Sequence, residues 1–139
     1  MKAAKAALFT RITGDAPLMA KLGASPYMGR LPDTTKLSKT KAMLVINGDA
    51  LRDRPDRENQ LYTIDVYSYS HDQVEDAYEE LLRVFGVTEA RKVWRKITLS
   101  APGAAIFIRF ESSEDIPDPT SELFRKAARF RVRAVRVIS

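Results

Sequence analysis

The sequence predicts an α+β fold: a mainly antiparallel sheet of about four strands packed with a central amphipathic helix and an N-terminal helix. Three observations lead there. Apolar residues recur at helical spacing across 71–85, they alternate at every second position across 60–69, 104–111 and 128–134, and Gly or Pro punctuates the stretches between. At 139 residues the chain is the length of one ordinary domain, read here as a single unit over 1–139.

In chain order, residues 2–13 are Ala-rich and place Ala4, Ala7, Leu8 and Ile12 on one helical face, so they predict an amphipathic helix that ends near Gly14. Asp15 reads as the N-cap of a short helical turn through Pro17 and Leu18, stopped by Gly23. Residues 24–40 have no sustained period and read as a loop. Ala42–Ile46 is a strand closed by the Asn47-Gly48 turn signal, and Gln60–Tyr69 is its hairpin partner across a long, charged tip broken by Pro55. In the second strand Tyr62, Ile64 and Val66 share one face, and Thr63, Asp65 and Tyr67 share the other.

Ser70 and Gln73 have the spacing of a capping box. The helix they open carries Val74, Ala77, Tyr78, Leu81, Leu82 and Phe85 on one stripe and meets Gly86 where a stop belongs. Residues 87–100 suit either a helical turn capped by Thr88 or a strand with Val93, Ile97 and Leu99 on one side. Ala104–Glu111 alternates as a strand, and ESSEDIPDPTSE reads as an acidic loop, because Pro117 and Pro119 oppose regular pairing. The last strand, Ala128–Ile138, sets Phe130, Val132 and Ala134 against Arg129, Arg131 and Arg133. The pattern inverts at Val135, which predicts a bulge or a second covering surface there.

No constellation for catalysis emerges. His71 is the only histidine, and it lies in a predicted first helical turn without a defined acid–base partner. The chain has no cysteine, and its glycines stand singly where turns explain them, so nucleophilic thiols, thiolate metal sites and phosphate-cradling loops are all unsupported. Glu111, Glu114, Asp115 and Asp118 lack the spacing of a hard-cation loop. The expectation is a non-enzyme without cofactor or metal. The opening MKAAKAALFTR is interrupted by Arg11 before it reaches the length of a signal-peptide core, and no apolar run approaches a membrane span, so a soluble chain is expected.

The net charge of +5 conceals a division into residues 1–47 at +6, 48–124 at −7 and 125–139 at +6. On the helix 71–85, Asp72, Asp76 and Glu80 follow one another at i,i+4, where like charges cost a few tenths of a kcal/mol each, and Arg83 is placed to compensate Glu79. Such a face is explained either by solvation or by a basic surface laid against it, and Arg129, Arg131 and Arg133 offer one. Two different patches meeting head to tail make a heterologous contact, which closes into a ring when the rotation permits.

The order of these features carries a resemblance across nearly the whole chain. After the N-terminal helix come GDAPLMAKLG, Leu31-Pro32, AMLVING, then QLYTIDVYSYS followed by HDQVEDAYEELLRVFG, then IFIRFES, IPDPTSELFRKA and RFRVRAV. Together they resemble the tail terminator, or tail completion, proteins of siphophages and related prophages. The resemblance implies a structural virion protein that forms a hexameric ring at the head-proximal end of the tail tube, stops tube polymerisation and presents a surface for head joining. It implies other copies, the tail tube protein and a neck or head-completion protein as partners, DNA passing through the lumen as a further contact, and no membrane. It places the chain in the virion after assembly in the host cytoplasm. That family supplies no catalytic residues, so the candidate interface positions rest on charge: Arg52, Arg54 and Arg57 in the hairpin tip, Asp72, Asp76 and Glu80 on the helix, and Arg129, Arg131 and Arg133 on the last strand. Another head–tail connector, or a basic nucleic-acid-binding module, are the competing readings.

Overall fold

A computed structural model describes residues 2–31, 37–48, 59–98, 104–117 and 122–136. Helices α1 (Lys2–Thr13) and α2 (Ala16–Lys21) precede strands β1 (Tyr27–Met28), β2 (Met43–Gly48) and β3 (Asn59–Ser68). Helix α3 (His71–Phe85) follows, then β4 (Arg95–Thr98), β5 (Ala104–Ile116) and β6 (Phe124–Arg136). The fold class is α+β as expected, but the described sheet has six strands rather than about four, in the order β1-β2-β3-β6-β5-β4. It is also mixed, since β1 runs parallel to β2 while every other pair is antiparallel. The two additional strands are two and four residues long, too short to display a period of two.

A larger departure concerns the stretch read as an acidic loop. Residues 112–116 instead extend β5, pairing with Arg125–Arg129 of β6 after a register shift between Phe110 and Ser112. The bulge thus lies on β5 in mid-strand and not at Val135. Acidic β5 meets basic β6 here, so each strand supplies the countercharge that its own composition lacks.

The three helices cover one face of the sheet. Helix α3 buries Val74, Ala77, Tyr78, Leu81, Val84 and Phe85 against Leu44, Ile46, Ile64, Val66, Ile108, Phe130 and Val132, and α1 adds Ala7, Leu8 and Ile12 to the same core. Gly86 ends α3 in the left-handed conformation at φ 68°, where a side chain would be strained, and donates its amide to the Arg83 carbonyl. The Arg11 side chain of α1 reaches the Val84 carbonyl at 3.2 Å, bringing a cation to the carbonyl end of α3.

The capping box at the start of α3 does not form. Ser70 is the N-cap by backbone conformation, yet its hydroxyl makes no capping bond. The Gln73 side chain is engaged elsewhere, accepting from Ser68 Oγ at 2.6 Å and donating to the Thr40 carbonyl at 2.6 Å. By contrast the Asp15 carboxylate caps α2, accepting from the Leu18 amide at 3.0 Å and from Arg83 at 2.6 Å.

Burial pushes the Asp15 carboxyl upward, but the Leu18 amide and the Arg83 guanidinium outweigh it and hold the group below the usual carboxylate range. A group whose folded value is depressed stabilises the fold above its unfolded value and loses that contribution as pH falls through the folded one. Asp15→Ala should therefore cost about 1 kcal/mol near neutral pH. The gap between the variant and the parent should close in melts carried from about pH 5 down to about pH 2.

Candidate interaction surface

Alternation on β6 buries Ala128, Phe130 and Val132 under α3 and turns Arg129, Arg131 and Arg133 to the opposite side of the sheet. At the β1–β2 end that side is covered by a small cluster of Leu37, Met43 and Leu123 with Tyr27, Leu31, Tyr67 and Tyr69. At the β4–β5–β6 end, among the described residues, it is open.

The arginines there are not equivalent. Arg129 meets Glu114 of β5 at 2.5 Å, and Arg131 meets Glu111 at 3.4 Å. Glu111 occupies the bulge and also accepts from Arg109 at 3.3 Å, while the Arg109 guanidinium lies 5.0 Å from the centre of the Trp94 ring. Surface pairs of this kind contribute about 0–1 kcal/mol each. They do little for stability, but they neutralise much of the basic row. Arg133 is exposed and has no ion-pair partner among the described residues. It stands opposite Phe107 of β5, and Phe107 stands opposite Lys96 of β4, also exposed and without an ion-pair partner among the described residues.

The acidic candidates divide in the same way. Asp72 and Asp76 are exposed, with no partner among the described residues. Glu80 is taken by Arg83 at 2.7 Å, and Arg83 bridges on to Asp15, so it compensates those two groups rather than Glu79. Glu79 is exposed and, among the described residues, unpaired in its place. Arg52, Arg54 and Arg57 lie outside the described residues.

A second polar cluster sits where α3 meets the ends of β5 and β6. Lys126, nine-tenths buried, donates to Glu75 at 2.6 Å, lies 3.8 Å from Asp115 and rests 4.5 Å from the centre of the Tyr78 ring. His71 adds Nε2 at 3.7 Å from Glu75 and packs edge-on against Phe124. The donor atoms of His71, Glu75 and Asp115 lie within 4.8 Å of one another, a spacing that would suit a metal. The Lys126 ammonium already stands between the two carboxylates and supplies the cation itself. Beside it, burial and the hydrogen-bonded Glu89 carboxylate push the Tyr78 hydroxyl well above the ordinary phenol range, which makes it a donor and not a base. The cluster joins helix to sheet as a polar clasp.

The surface is thus one of charge and aromatic contact. The fold superposes on a chain from the virion of a native gene transfer agent particle with a TM-score of 0.58, covering 93% of this chain and 92% of that chain at 18% sequence identity. The chain shares its fold with a chain of that virion. At this identity the likeness is one of fold, and it takes in more than nine-tenths of both chains. The sequence matches no protein-family model and no curated protein.

Sequence reasoning set Glu79 on the acidic helix but left it out of the candidate positions, and it missed Lys96, Phe107 and Arg109 on the open sheet face. The one available signal was Trp94 among Arg91, Lys92, Arg95 and Lys96, a concentration of charge around a large aromatic that β4 delivers to the sheet edge. No helix among the described residues is long and apolar enough to cross a membrane.

Proposed function

We propose that the chain is a non-enzymatic structural protein of a phage-like virion, and that it acts as the ring terminating the tail tube at its head-proximal end. The observation that carries this reading is the likeness in fold to a virion chain, with nearly equal coverage of both partners. The order of sequence features, from GDAPLMAKLG to RFRVRAV, supplies the narrower assignment to a tail terminator. On this reading the mechanism is steric and cohesive. Copies close into a ring, cover the growing face of the tube and replace it with a surface that tube subunits cannot extend and that a neck protein can grip.

A neck connector would make the same use of the fold. Polymerising tail tube protein with and without this chain separates these readings. The terminator reading expects tubes of limited length, each closed at one end by a ring visible in electron micrographs. Tubes that elongate as in its absence, with no density at either end, would sink it. Binding to the head or neck component alone would move the chain to the connector class.

A further inference from the structure

We infer that the acidic stripe of α3 on one copy docks across the Arg133–Phe107–Lys96 row on the open sheet face of the next copy, as the head-to-tail contact that builds the ring. The inference deepens the proposed function and rests on it for the ring. Asp72, Asp76 and Glu79 fall at i, i+4 and i+7, one side of the helix, and all three are exposed and unpaired among the described residues. Holding three carboxylates on one stripe is unfavourable for an isolated copy. Because α3 packs on one face of the sheet and the row lies on the other, no copy can bring the two together within itself. A second copy can.

The dimensions agree. Arg133 and Lys96 flank Phe107 from the two neighbouring strands, so their backbones stand two strand spacings apart, about 10 Å. Asp72 and Glu79 are seven residues apart along the helix, also about 10 Å. With α3 laid across the strands, two carboxylates meet two cations while the half-buried Phe107 contributes an apolar contact at the centre. Phe107 and Arg133 are of the residue types enriched at protein–protein interfaces. Arg129 and Arg131 stand nearer the start of β6 and are already answered by Glu114 and Glu111, so the charge left for a partner concentrates at the Arg133 end.

The test uses two variants of the full chain. One carries Lys96→Glu and Arg133→Glu; the other carries Asp72→Asn, Asp76→Lys and Glu79→Lys, with Asn sparing the first helical turn a positive charge. Light scattering should give an assembly several times the 15.7 kDa of one chain for the parent, and one chain mass for each variant alone. Equimolar mixing should restore the assembly, because each altered face then meets its complement, and a misfolded variant could not do this. Raising salt to about 1 M, where the screening length falls to about 3 Å, should dissociate the parent. A mixture that stays at one chain mass, a variant that assembles alone as the parent does, or a parent that is a single chain at every concentration would each overturn the inference. So would a sheet variant that keeps the parent's mass and loses only affinity for duplex DNA, which would reassign the face to nucleic acid. Rings that form but leave tube growth unaffected would remove the proposed function and keep this contact; tubes capped without it would do the reverse.

Discussion

Replacing Phe130 with Ala is expected to lower the unfolding free energy by about 4 kcal/mol and the melting midpoint by roughly 15 °C. Phe130 is fully buried and lies near the middle of the sheet, on a strand paired with β3 on one side and β5 on the other. Its ring centre lies 5.3 Å from that of Phe85 on α3 and 6.1 Å from that of Phe110 on β5, both pairs close to perpendicular. Truncation therefore removes the ring's own transfer free energy and two aromatic contacts, each worth about 0.5–1.5 kcal/mol beyond area. It also opens a cavity that two paired strands and a helix cannot collapse to fill. Domains are stable by only about 5–15 kcal/mol in total, so the variant should sit close to unfolding at physiological temperature. The neighbouring Arg129→Ala points the other way from the sheet and should cost less than about 1 kcal/mol. Urea titration of the two variants checks the alternation directly. Equal losses would mean that the core face of β6 has been assigned to the wrong residues.

That alternation is legible in the sequence, and so are the α3 stripe and its Gly86 stop, because each depends on a pattern sustained over many residues. What the sequence did not disclose depends on partners distant in the chain. Residues 112–116 look like a solvated loop until β6 lies beside them with its basic side chains, at which point they are a strand. Gln73 has capping-box spacing, but Ser68 and Thr40 compete for its amide and win. The charged surface follows the same logic. Composition disclosed that one helix is acidic and one strand basic, whereas only the fold could say that Glu114 and Glu111 answer Arg129 and Arg131, that Arg83 answers Glu80, and that Arg133, Lys96, Asp72, Asp76 and Glu79 have no partner among the described residues. Pairing is a tertiary property, and a list of charges along the chain cannot divide the neutralised from the free.

The same distinction gives the second large effect. Asp65, read from its alternation as facing away from the core, is nonetheless 2% exposed, beneath Arg125 of β6 at 3.1 Å and with Asn47 of β2 donating to it at 3.2 Å. Arg125 in turn lies 5.6 Å from the centre of the Tyr67 ring, and the pair ties the start of β6 to β3 and β2. Removing the cation alone strands a carboxylate away from water with one amide for company, so Arg125→Met should cost about 3 kcal/mol. Removing both charges leaves no such debt, and Asp65→Leu with Arg125→Met should cost less than about 1 kcal/mol even though it alters two residues. The double variant being more stable than the single one is the decisive outcome, readable from denaturant midpoints as long as the slopes agree. Were the two losses simply to add, Asp65 and Arg125 would be acting independently. The anchor of β6, and with it the placing of Arg133 at the far end of the same strand, would then have to come from the apolar contacts alone.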